Sequence, residues 1–168
     1  MPPRVGYAAT GRIRTAAAPT ARYWYHDRLD WWEYLGGIPA PPVIVLEDMD
    51  KRAGIGALLG EIHAHIGRAL GCIGYVTNGA VRDLPGIERT GFHLFARGVS
   101  VSHAYAHVAD FGGPVEAGGL RVNPGDLLHG DATIAHSSTA CYQNSNRRRA
   151  LDRAARSQAA GPGKSQKG

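Results

Sequence analysis

The sequence predicts an α/β fold, a mixed sheet with flanking helices, and three observations carry that prediction. Residues 43–98 alternate strand-like and helix-like segments in the order strand, helix, strand, helix, strand, which calls for parallel strands joined by right-handed crossovers. The run VIVLED, residues 43–48, is continuously apolar and ends in acid, as suits a strand buried on both faces. Beyond Val99 the texture changes to VSVSHAYAHVADF, PVEAGGLRV and DLLHG, β-rich pieces cut by glycine and proline turns that add an antiparallel or mixed layer.

The first element is the alternating, β-rich VGYAATGRIR, followed by the loop TAAAPTAR. YWYHDRLDWWEYLGGIPAPP has Leu29, Trp32 and Leu35 at helical spacing before a glycine pair and a proline-rich stop. Its aromatic side chains are expected to pack on the sheet or on a neighbouring subunit. After the strand at 43–48, KRAGIGALLG leads into a helix predicted over residues 59–70, with Ile62, Ile66, Ala69 and Leu70 as its apolar stripe. IGYVT is the next strand, Asn78-Gly79 a turn, DLPGIER a short helical segment and FHLFARG another strand.

The chain has 168 residues, 43% of them hydrophobic and 20% charged, enough for one domain with its own core. One domain is expected over residues 1–143, with 144–168 a basic, disordered or aberrant tail. The net charge of +5 is concentrated there: residues 1–146 carry 12 Lys/Arg against 13 Asp/Glu, and residues 147–168 carry 7 against 1. Such a tail can grip phosphates weakly, but a charge run of this kind is more often a solvated end, so nucleic acid is not the expected partner. No run nears the roughly 18 apolar residues of a membrane helix, and the N-terminus has no apolar signal core. The expectation is a cytoplasmic protein that is not membrane-bound. Cys72 and Cys141 fit a reducing compartment and are expected to be inert.

The chemistry-bearing stretch is GEIHAHIGRALGCIGYVTNGAVRD, residues 60–83. GIGALLG misses the dinucleotide pattern by one residue, and its glycines better suit backbone N–H groups at Gly60 to His63 approaching a small anion at a helix N-terminus. Arg82 offers a fixed fork for a carboxylate or keto oxygen, and Asp83 a hard ligand for magnesium or manganese. The competing reading of Asp83 is a helix N-cap before Leu84-Pro85. His63 and His65 point to different sides of a helix and make poor co-ligands. His103, Tyr105 and His107 would share one strand face, as a metal or proton-transfer site or simply a half-buried polar face. There is no G-x-S-x-G elbow and no persuasive Ser/His/Asp or Cys/His pattern.

The 60–83 segment, FARG at 95–98 and PVEAGGLRVNPGDLLHGD at 114–131 together resemble the regulator of ribonuclease activity A (RraA-like) family, which also contains class II 4-hydroxy-4-methyl-2-oxoglutarate aldolases. The resemblance covers residues 5–131 and implies a swivelling β/β/α domain that assembles as a homotrimer or hexamer with sites at subunit interfaces. The aldolase-type pattern of an acid, twenty residues and Arg-Asp falls here on Glu61, Arg82 and Asp83. By that resemblance Asp83 would ligate Mg²⁺ (or Mn²⁺) and Glu61 would hold it through water. Arg82 would bind a small 2-keto acid and stabilise the enolate, and the amides near Gly60, Ile62 and His63 would take the substrate carboxylate. The implied activity is aldol cleavage or oxaloacetate decarboxylation through a pyruvate enolate.

The chain departs from the family at both ends. Few residues precede the first strand where members carry helical sequence, and after Asp131 it reads ATIAHSSTACYQNSNRRRALDRAARSQ in place of a strand, an Ile-Pro-like element and a helix. A frameshifted or truncated product is one reading of that switch. The other alternative is a non-catalytic regulator of ribonuclease E type. Retention of Glu61, Arg82 and Asp83 together favours the enzyme.

Overall fold

The computed structural model describes residues 4–19 and 28–131 and the backbone of 135–137; the expectations for Trp24, Cys141 and the basic tail lie outside these residues. The predicted order is observed through β8: β1 (Arg4–Arg14), α1 (Leu29–Gly37), β2 (Pro42–Asp48), α2 (Glu61–Ala69), β3 (Gly74–Val81), α3 (Leu84–Arg89), β4 (His93–Val99), β5 (His107–Phe111), β6 (Val115–Ala117), β7 (Leu120–Val122) and β8 (Leu127–Gly130); a further short strand, β9 (Ala135–Ser137), follows on β8 where no strand was expected after Asp131. One mixed sheet runs β4-β3-β2-β1-β8-β9, with β5 also on β1, and β6-β7 form a separate hairpin. The four strands β1 to β4 are mutually parallel neighbours, as the alternating strand-helix order requires.

β1 is the hinge between the parallel and antiparallel parts. Its first half, Arg4 to Tyr7, pairs antiparallel with β8, and Gly11 to Arg14 pair antiparallel with β5. Its opposite edge lies against β2 throughout Tyr7 to Ile13. β2 is buried on both faces, with Ile44 and Leu46 in the larger core and Val43 and Val45 in the second core under the β6-β7 hairpin. The two cores thus take alternate residues of one strand, as the pleat dictates.

Three expectations are corrected. Asn78-Gly79 is no turn but the interior of β3, because the Asn78 amide is bound to the strand beside it: Asp48 N–H donates to Asn78 Oδ1 at 2.7 Å and Asn78 Nδ2 donates to the Asp48 carbonyl at 3.1 Å. The register shifts between Thr77 and Ala80 to accommodate the pair. On α2 the buried face is His63, Ala64 and Gly67, whereas Ile62 is 69% and Ile66 36% exposed and Ala69 also lies outside. Gly67 lets the helix close onto Phe92, whose ring atoms lie 3.3 Å from where a Cβ would be. Of the expected stripe only Leu70 packs against the core. On α1, Trp31 and Leu35 are buried while Leu29 is 67% exposed and Trp32 is partly buried. Trp31 packs with Tyr34 and Phe111, centroids 5.7 Å from each, so this tryptophan serves the sheet, as one branch of the expectation held.

Candidate active site

β2 and β3 both end on the side where parallel strands open into a crevice, and the segment from Met49 to Gly60 crosses that end before α2 begins. It is held by Asp48, the last residue of β2. The buried carboxylate accepts from Gly54 N–H at 2.7 Å and Asp50 N–H at 3.1 Å, and burial raises its pKa above the usual carboxylate range despite those bonds. Asp50 in turn accepts from the N–H groups of Thr15 and Ala16 at 2.6 and 2.8 Å, tying the segment to the end of β1. Nothing in the sequence singled out this lock. An acid closing an apolar strand and a second acid two residues on were its only signals.

The segment then meets the end of β3. Arg82 N–H donates to the Leu59 carbonyl at 3.0 Å, and Gly60, extended and buried, stands at the start of α2. Its missing side chain is a requirement: a Cβ there would lie 2.6 Å from Asp83 Oδ2 and 3.0 Å from Arg82 Nε. The Glu61 N–H, unpaired within the helix, reaches Asp83 Oδ2 at 3.3 Å. Gly60, Glu61, Arg82 and Asp83 are therefore brought together across the twenty residues that separate them in sequence.

Asp83 occupies the N-cap position of α3, but no side-chain cap bond forms. Its backbone is left-handed, φ 57° and ψ 39°, and its carboxylate is turned toward α2 instead. The capping alternative accounts for its place in the chain and not for its side chain. Arg82 Nε is buried with no hydrogen-bond partner; the nearest carboxylate oxygen, on Asp83, is 3.9 Å away. Glu61 is anchored to α3 by Arg89 at 2.9 Å, with His65 4.0 Å away, and its carboxyl group covers Gly86, where a Cβ would overlap it.

Of the other candidates, the Ile62 side chain points to solvent, which leaves only its amide as a candidate. His63 is buried, its ring 5.9 Å from Trp32. Burial first, then electrostatic interaction with neighbouring His103 and Arg82, lowers its pKa to about 4. Its side chain is a neutral packing element. The strand face expected for His103, Tyr105 and His107 does not form: β5 begins only at His107, and Ala104 takes a left-handed φ of 48° in the loop before it. That loop lays the His103 backbone over Gly56, its carbonyl oxygen 2.5 Å from where a Cβ would stand, a position the strand reading missed. Cys72 is buried with its thiol pKa raised to about 11 by burial, as an inert core cysteine should be.

No group of three His, Cys, Asp or Glu side chains able to hold a metal occurs among the described residues. The donor set present, one half-exposed carboxylate with a second acid nearby, suits a cation that keeps most of its water. Mg²⁺ is such a cation, bound through one or two carboxylates and otherwise by water and substrate.

Residues 2–133 match the RraA-like family, described as aldolase/RraA. The chain belongs to that family. A relative from Halalkalibacterium halodurans, named provisionally as a 4-hydroxy-4-methyl-2-oxoglutarate aldolase, is 31% identical over 77 residues, which are 45% of this chain and 37% of that protein. Among solved structures, an uncharacterised Pseudomonas syringae protein aligns with TM-score 0.63 at 22% identity, covering 92% of this chain and 68% of the other. Streptomyces coelicolor RraAS2, described as an unusual member of the RNase ES inhibitor RraA family, aligns with TM-score 0.65 at 20% identity, covering 94% and 79%. At these identities the likeness to the structures is one of fold, and it bears out the expected RraA-like α/β domain. No helix among the described residues is long and apolar enough to cross a membrane.

Proposed function

We propose that this RraA-like chain is a carbon-carbon lyase that cleaves or decarboxylates small 2-keto acids through a pyruvate enolate, with Mg²⁺ or Mn²⁺ held by Asp83 directly and by Glu61 through water. The observation that carries the reading is the Arg82-Asp83 pair: a buried guanidinium nitrogen without a partner beside a carboxylate held off its capping position, both against the opening of α2. A structural role would satisfy the Arg82 Nε and use Asp83 as a cap; a ligand site uses neither in that way.

The chain's own groups divide the work. The first-turn amides of α2, at Ile62 and His63, face outward from the helix start and suit the substrate carboxylate. Arg82 donates to the keto oxygen and stabilises the negative charge that gathers there as the C–C bond breaks. A metal bound at Asp83 would act as a Lewis acid on the same oxygen. In oxaloacetate decarboxylation CO₂ leaves and the pyruvate enolate then takes a proton from water. The chain need only orient the substrate and stabilise charge. The expected assembly is a homotrimer or hexamer, and the exposed Ile62 and Ile66 on one face of α2 support an interface there.

The test is pyruvate release from oxaloacetate and from 4-hydroxy-4-methyl-2-oxoglutarate by the purified chain, with Mg²⁺, with chelator and with Arg82→Ala. Turnover above the metal-only background that both chelator and the substitution abolish is the expected outcome. Absence of turnover from a folded, oligomeric preparation would transfer the weight to a non-catalytic ribonuclease E-type regulator.

A further inference from the structure

The second core, under the β6-β7 hairpin, contains a cavity that the lyase reading does not use. We propose that it is a binding site for a monocarboxylic acid with a short apolar tail, its carboxylate at Arg4 and His93 and its tail between β3 and the hairpin. The site is independent of the reaction at Arg82.

β2, β3 and β4 run parallel and begin at the same end, with Val43 opposite Gly74 and Gly74 opposite His93. Arg82 and Asp83 follow the other end of β3, so the two sites lie at opposite ends of one strand. The cavity at the starting end encloses about 480 Å³, including space open to solvent, and Val45, Val76, Phe95, Leu120 and Val122 give it apolar walls. Arg4, His93 and the exposed His129 supply its basic side chains. Gly74 leaves room beside the imidazole, since a Cβ there would stand 3.3 Å from that of His93.

The Arg4-His93 pair gives this cavity a polar end with donors to spare. Arg4 Nε donates to His93 Nε2 at 3.3 Å. A guanidinium cannot accept, so Nε2 uses its lone pair and the ring proton of the neutral imidazole resides on Nδ1. Burial and then the charge of Arg4 hold the ring neutral by lowering its pKa. His93 is 5% exposed, and its Nδ1 is buried with no hydrogen-bond partner, a state that native interiors seldom leave uncompensated. Arg4, half-buried, forms no ion pair with another described residue. An apolar side chain at position 93 would serve packing alone better than a buried donor without an acceptor. A cation and an N–H at one end of an apolar cavity call for an anionic acceptor carrying an apolar body. The same walls disfavour a second charge, so a dicarboxylic keto acid is a poor ligand here.

The experiment follows backbone amide shifts of the full ¹⁵N-labelled chain titrated with hexanoate, hexanol and acetate. Hexanoate should saturate shifts at Gly74, Val76, His93 and Leu120, and hexanol and acetate, lacking the head or the tail, should each bind at least tenfold more weakly. Arg4→Met, which keeps an apolar stem, should weaken hexanoate about tenfold. Val76→Phe, which fills the cavity from β3, should abolish saturation, while Arg82→Ala should bind hexanoate as wild type does. The assignment is overturned by an absence of saturation in wild type, by hexanol binding as tightly as hexanoate, or by Val76→Phe binding unchanged. Shifts confined to residues 60–63 and lost in Arg82→Ala would overturn it too, by placing the carboxylate at the other end of β3. None of these readouts depends on turnover, so a failure of the lyase reading leaves the test intact.

Discussion

At Asp83 the chain accepts a left-handed backbone that costs most residues about 1–2 kcal/mol and aspartate somewhat less. Glycine at that position would shed the strain but enlarge the unfolded ensemble by a similar free energy. Asp83 makes no cap bond to α3, and the bond the substitution removes is the long one from Glu61 N–H at 3.3 Å. Asp83→Gly should therefore shift Tm by no more than a few degrees while abolishing Mg²⁺-dependent turnover, measured by thermal melting beside pyruvate release. A loss of some ten degrees would show the carboxylate to be structural. Gly60 predicts the converse kind of damage. A methyl group there cannot coexist with Asp83 Oδ2 and Arg82 Nε where they stand, so Gly60→Ala should lower kcat/KM at least tenfold by displacing both. Unaltered kinetics in a folded Gly60→Ala protein would mean that this apposition is not used.

The elements show why some features were legible in the sequence and others were not. β2 was readable because burial on both faces leaves an unbroken apolar run, whereas the grouping of Glu61, Arg82 and Asp83 came from the family resemblance, which no periodicity supplies, and the structure brings the three residues together. The buried face of α2 was misread because periodicity counts apolar side chains, whereas this helix approaches the sheet through Ala64 and Gly67 and leaves its isoleucines outside. Asn78-Gly79 was misread because the turn preference of that dipeptide is local, and the tertiary bonds to Asp48 override it. His103 was placed on a strand because alternation alone cannot reveal a left-handed alanine. The exposed isoleucines yield a prediction of their own. Ile62→Lys removes no buried contact within the chain, so it should change the stability of the isolated fold by less than about 0.5 kcal/mol while shifting the oligomer toward monomer in sedimentation velocity. An unchanged sedimentation coefficient would take this face out of the assembly.

For the whole molecule, β1 joins the parallel half to the antiparallel half, so stability is shared between the two cores that flank it, and each core has a buried histidine at its edge. His63, 8% exposed, packs on Trp32 at the α2 side; His93, 5% exposed, accepts from Arg4 Nε at 3.3 Å across the sheet. Both have pKa values below 6.5, His63 at about 4, with burial the leading cause and neighbouring positive charge adding to it. A histidine that binds its proton more weakly folded than unfolded stabilises the native state fully above 6.5 and progressively less as pH falls toward the folded value. For His63 the shift corresponds to about 3 kcal/mol. Asp48 acts in the opposite sense. Its raised pKa means that protonation favours the folded state, so stability is gained as pH falls through the range just above 3.8, opposing part of the histidine loss. The net expectation, with chelator present so that no metal contributes, is a Tm that falls by roughly ten degrees between pH 6.5 and 4. His93→Gln should flatten the upper part of that profile, because it removes a titrating group while keeping a side chain able to accept from Arg4. A Tm constant over the interval in the wild-type chain would mean that the two imidazoles are solvated, and that neither core closes over its histidine.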